Sequence, residues 1–86
     1  MELEQLRAFV AVAETGSFTR AAEGLYTSHS SISRAVSALE RDLGVTLIER
    51  DNRVVGLTKA GEILLNGARD LLERADELKR KALQQH

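Results

Sequence analysis

Apolar residues recur along most of the chain at steps of three and four, and the rhythm changes once, near residue 45. In "LEQLRAFVAVAETGS", Leu3, Leu6, Val10 and Ala13 keep that spacing with Phe9 beside them. This predicts an amphipathic helix stopped by Gly16. Ser17 then caps a short second helix, "FTRAAEGL", with Phe18, Ala21, Ala22 and Leu25 turned inward. The connection "YTSH" leads to a third helix, capped by Thr27 or Ser28 and ended by Gly44. Its inner stripe is Ile32, Val36, Leu39 and Leu43.

The rhythm breaks in "VTLIERDNRVVGLT", where β-branched residues gather around "RDNR", a composition suited to a hairpin tip. Two short strands are expected, near Leu47–Arg50 and Val54–Leu57. Thr58 then caps a long fourth helix of roughly 40 Å, at about 1.5 Å per residue. Gly61 and Gly67 weaken its first turns by about 1 kcal/mol each relative to alanine. The predicted fold is mostly α. Residues 1–58 read as a winged helix-turn-helix with a short β-hairpin wing, and 59–86 as a linker and dimerisation helix.

The third helix carries an unusual outer face. "SHSSISRAVSALE" holds five of the six serines, and Ser30, Ser33, Arg34 and Ser37 form one stripe opposite the buried one. Small hydroxyls let a backbone approach a major groove closely, and Arg34 offers the fork that suits guanine O6 and N7. The free N–H groups of the first turn, near Ser28 to Ser31, suit a phosphate. Alone, the serines also read as a cap and an ordinary solvated face. The helix before and the wing after favour double-stranded DNA. In the wing, Arg53 suits a narrow minor groove or a phosphate. Arg50 reads either way, as a DNA contact or as a surface partner of Glu49 or Asp51. His29 reads equally as a donor to DNA or as an exposed first-turn residue.

The fourth helix has its own pattern. Leu64, Ala68, Leu71, Ala75, Leu78 and Ala82 alternate steps of four and three, and Leu65 and Leu72 widen the stripe. This is a heptad-type seam. A helix longer than its domain needs a partner, most simply the same helix of a second subunit; the alternative folds it back on its own domain. A homodimer would present two recognition helices about 34 Å, or a multiple of that, apart, which suits an imperfect inverted repeat.

Composition narrows the classes further. At 86 residues one core is possible, and so short a chain buries only roughly 60% of its unfolded surface. The absence of cysteine removes disulfides, thiolate metal sites and a cysteine nucleophile, while His29 and His86 stand too far apart to found a zinc site. No leader and no membrane-length apolar run is seen, so the cytoplasm is the default address and no membrane partner is expected. Three aromatics make a poor platform for stacking single-stranded bases. No catalytic or cofactor pattern is found: Ser33 and His29 lie one turn apart, but no carboxylate is placed to orient the imidazole. The net charge of −1 argues against DNA only as a total, because phosphate affinity is local. Between Gly24 and Leu39 there is one base, Arg34, and no acid. A protein-interaction module using the fourth helix alone is the rival reading, and steep salt dependence would separate the two.

Three stretches, "LRAFVAVAETGSFTRAAEGL", "SISRAVSALERDLGVTLIER" and "LTKAGE", together resemble the N-terminal DNA-binding domain of LysR-type transcriptional regulators. The resemblance implies a winged helix-turn-helix that dimerises through its fourth helix. It also implies a larger effector-binding domain of periplasmic-binding-protein type beyond this segment, and tetramers in many longer members. The family's DNA-contacting positions fall on His29, Ser30, Ser33, Arg34 and Arg53. Two departures are visible. His29-Ser30 replaces the common Gln-Pro, and histidine cannot grip adenine with two bonds as glutamine does. Ile48 replaces a usual phenylalanine, which bears on packing beneath the wing.

Overall fold

The computed structural model describes residues 1–51 and 54–85. Its central element is α1 (Leu3–Thr15), against which α2 (Phe18–Gly24), α3 (His29–Leu43) and α4 (Lys59–Leu83) all pack. An antiparallel hairpin of β1 (Ile48–Asp51) and β2 (Val54–Leu57) lies between α3 and α4 in the chain, with Ile48 opposite Leu57 and Asp51 opposite Val54. The architecture is mostly α, as the spacing predicts.

Local chemistry sets the helix ends. Ser17 Oγ accepts from the Arg20 N–H, Ser28 Oγ from Ser31, and Thr58 Oγ1 from Gly61, each capping the helix that follows. Thus Ser28, rather than Thr27, caps α3. Gly16 and Gly44 end α1 and α3 in the left-handed region, at φ 70° and 71°, where a side chain would be strained.

The core joins Leu6, Phe9 and Val12 of α1 to Ala21 and Ala22 of α2 and to Ile32, Val36 and Leu39 of α3. Val10 and Ala13, expected on the inner stripe of α1, are only half-buried, while Ala8 is buried. A helix packed on several sides buries more than one line of residues, so a single stripe is too narrow a description. Leu3, Leu25 and Leu43 are exposed rather than buried. Each sits at a helix end, beyond the packed middle.

One residue joins α3, the wing and α4. The Glu40 carboxylate of α3 accepts the Leu47 N–H at 2.8 Å and the Ile48 N–H at 3.2 Å. The Leu47 carbonyl accepts the Thr58 N–H at 3.0 Å, and the Leu47 side chain is buried. β1 therefore starts at Ile48, one residue later than expected. Thr58 Oγ1 also donates to the Thr46 carbonyl at 2.7 Å. The Leu47 carbonyl lies so close to α4 that a Cβ on Gly61 would overlap it. Gly61 is thus a packing requirement, although from sequence it looks like a weakness in the helix.

α4 runs antiparallel to α1. Ala68 and Leu72 enter the core, and two ion pairs flank them, Arg69–Glu14 and Arg7–Asp76, each 3.0 Å long. The Arg7 guanidinium, by hydrogen bond and then by charge, holds the Asp76 carboxyl below its ordinary value of 3.8. Beyond this pair the helix projects. At 25 residues it is about 37 Å long, against molecular extents of 50 × 25 × 19 Å.

Two outcomes are expected. Gly61→Ala should destabilise the fold by about 1–3 kcal/mol in urea titration despite alanine's helix preference, because a backbone carbonyl must move. Gly67→Ala, which meets open space on the same helix, should stabilise it by up to about 1 kcal/mol. For Asp76, the folded pKa lies below the unfolded one, so the Arg7 pair contributes fully above the ordinary value. That contribution is lost as pH falls through the lowered one. Carboxyl NMR should show the Asp76 titration move up towards 3.8 in Arg7→Ala, and an unmoved titration would mean that the pair does not form in solution.

Candidate nucleic-acid interface

The expected stripe on α3 is present, in two tiers. Ser30 and Arg34 are exposed, while Ser33 and Ser37 are half-buried beside them. Opposite lie Ile32, Val36 and Leu39, all buried. The outer face is therefore a low ridge of hydroxyls with one guanidinium. Across Gly24–Leu39 Arg34 is the lone base, with no acid near it in sequence.

The start of α3 is organised by Ser28. Its Oγ accepts the Ser31 N–H at 3.1 Å and donates to Ser31 Oγ at 3.0 Å. Both hydroxyls thus serve the cap. They leave the backbone N–H groups of His29 and Ser30 at an exposed helix end, where the macrodipole favours an anion. The tight turn before it passes through Tyr26 at φ 55°, with the side chain 96% exposed.

Arg50, on strand β1 opposite Val55, is exposed and lies over the Phe18 ring, its guanidinium carbon 4.9 Å from the centroid. Among the described residues it makes no ion pair with Glu49; the side chain of Asp51, the other surface partner expected for it, lies outside the described residues. The same Phe18 ring meets the His29 imidazole, with centroids 5.6 Å apart and planes tilted by 40°. The first residues of α2 and α3 and the first strand of the wing therefore converge on one aromatic. The apolar spacing of α2 marks Phe18 only as a core residue. Its position at the very start of a short helix, in a chain with three aromatics, was the available signal. Arg53, the other wing residue expected at DNA, lies outside the described residues.

The eight expected seam positions of α4 divide between two faces. Ala68 and Leu72 are buried in the chain's own core and Leu64 and Leu65 pack against it, so these four are already occupied without a partner. Leu71 and Leu78 are 45% and 69% exposed, Ala75 is half-buried between them and Ala82 is exposed. Leu71, Ala75 and Leu78 line an open apolar groove together with Leu3 of α1.

A helix-turn-helix followed by a hairpin wing, with a long helix projecting from it, defines a winged helix-turn-helix protein. The model of the bacterial regulatory helix-turn-helix protein, lysR family, matches residues 3–62. The chain belongs to that family. It is 51% identical over 82 residues to the Hca operon transcriptional activator HcaR of Escherichia coli (strain K12), covering 95% of this chain and 28% of HcaR. The chain thus spans little more than a quarter of that relative's length. Among solved structures, a CbnR_DBD–DNA complex matches with a TM-score of 0.85 at 45% identity, covering 98% of this chain and 100% of that one. A BenM_DBD/catB site 1 DNA complex matches with a TM-score of 0.89 at 38% identity, covering both chains fully.

Proposed function

We propose that this chain is the sequence-specific DNA-binding part of a transcriptional regulator, and that α3 is the element that enters the major groove of double-stranded DNA. The observation that carries this reading is the ridge itself: Ser30 and Arg34 exposed, Ser33 and Ser37 recessed, and no acid between Gly24 and Leu39. A groove about 12 Å wide admits an α-helix, and short side chains beside Arg34 let the backbone lie close to the base edges. Arg34 supplies two parallel donors for guanine, and the serines bond base edges or phosphates. The uncapped N–H groups at His29 and Ser30 bind the backbone beside them. Arg50 and Arg53 extend the contact through the wing. Solved relatives crystallised with DNA and a relative named as a transcriptional activator support this assignment.

In this reading residues 1–58 bind DNA and 59–86 join two copies. Leu71, Ala75 and Leu78, with Ala82 beyond them, form the joining face, and the target is an imperfect inverted repeat. The site of action is the cytoplasm, and no described helix is long and apolar enough to cross a membrane.

Selection of bound duplexes from a random pool tests the whole reading. A two-fold symmetric motif is expected, with affinity falling steeply as salt rises. Arg34→Ala should cost about 1–3 kcal/mol on the selected site and relax preference at one base pair. Unchanged binding would remove Arg34 from the readout. Leu71→Glu combined with Leu78→Glu should shift sedimentation to monomer without unfolding the domain, since both side chains are exposed. A dimer that survives both charges would place the joining face elsewhere.

A further inference from the structure

We propose that Phe18 is a positioning residue for DNA binding, holding Arg50 of the wing against the first turn of the recognition helix so that both meet one stretch of phosphate backbone. This rests on the reading that α3 faces DNA. Phe18 is packed against the core and also meets two exposed side chains, the Arg50 guanidinium 4.9 Å and the His29 imidazole 5.6 Å from its ring centroid. A guanidinium over a ring face is attracted by the ring's quadrupole and uses no N–H donor in doing so. Among the described residues the Arg50 N–H fork has no hydrogen-bond partner, so it can meet a phosphate. Arginine loses much rotamer freedom when it binds, so a side chain already placed by a ring loses less. The ring also connects two parts of the interface that the backbone leaves separate, the start of α3 and strand β1. The geometry accounts for Arg50 lying over Phe18 instead of pairing with Glu49.

The test uses the whole chain and the duplex recovered by selection, with binding followed by fluorescence anisotropy across a salt series. Phe18→Leu keeps an apolar side chain in the core and removes the ring face. It should weaken binding by about two- to fivefold, the worth of an exposed cation–π contact. It should also reduce the slope of log affinity against log salt by about 0.9, the value for one phosphate contact. Arg50→Ala should reduce the slope equally, the double variant should add little to either, and Phe18→Tyr should restore wild-type behaviour. A Phe18→Leu variant that weakens binding with an unchanged slope would show a merely structural role and overturn the proposal. So would an Arg50→Ala loss that adds in full to that of Phe18→Leu. Arg50 is exposed, so Arg50→Ala leaves the core intact. An unchanged slope in that variant overturns the proposal whatever the leucine variant does. A wild-type chain that ignores every duplex at low salt defeats the DNA-binding reading itself, whereas normal wild-type binding with these variants unaffected defeats only the role of Phe18.

Discussion

The peptide at Leu47 is the constraint on which the arrangement of elements depends. Its N–H is held by the Glu40 carboxylate of α3, its carbonyl by the Thr58 N–H at the start of α4, and its side chain by the core. Three amphipathic segments could pack by their apolar faces in several relative directions, because burial is not directional. Hydrogen bonds to fixed backbone groups are directional. With Glu40 in place, the Leu47 and Ile48 N–H groups are satisfied in a partly buried position where each would otherwise cost about 1–3 kcal/mol. The wing therefore leaves the core at an angle set by α3 itself.

The same economy of placement explains how a chain of net charge −1 presents a surface suited to phosphate. Several acids have structural partners away from the α3 stripe. Glu14 and Asp76 bind arginines between α1 and α4, Asp42 meets the terminal amine, and Glu40 turns to the Leu47 joint. The exposed pairs contribute little stability. Their larger effect is on the field: negative charge is engaged along α4 and at the end of α3, while the outer face of α3 keeps Arg34 without an acidic neighbour in sequence. Total charge fails as a guide here because the interface is a small fraction of the surface.

What could be read from sequence was what is local. Ser17, Ser28 and Thr58 cap helices within three residues of themselves, and Gly16 and Gly44 end them by their own backbone freedom. The ridge on α3 was legible for the same reason, since a helix maps spacing directly onto faces. What escaped depends on contacts between distant residues. Gly61 looks like a helix defect until Leu47 is seen against it, and Glu40 looks like a surface acid until the wing closes on it. Phe18 reads as core because half of it is core. Tyr26 gives no sign of a left-handed turn, a conformation usually signalled by glycine or asparagine. On α4 the steps of three and four fit both an inner and an outer face. Spacing therefore could not separate Ala68 and Leu72, which the chain buries itself, from Leu71 and Leu78, which it leaves open.

That open face has a thermodynamic counterpart. A compact monomer of 9.5 kDa exposes about 5,050 Å², whereas this chain exposes 6041 Å². The excess of roughly 1,000 Å² is close to the ~800 Å² per partner of an ordinary specific interface. The projecting turns of α4, where Leu78 is 69% exposed, lie on that open surface. The two ion pairs to α1 lie seven residues apart on both helices, Arg7 to Glu14 and Arg69 to Asp76, and so hold α4 antiparallel over two full turns. With the burial of Ala68 and Leu72 between them, they mark the direction in which the last turns leave the domain. In the proposed dimer the distance between the two recognition helices is then a property of that direction, and inherits the rigidity of a packed helix pair rather than the slack of a linker. Weak surface pairs of this kind add little to stability, yet in the proposed dimer the helix pair they flank would set the spacing of two half-sites.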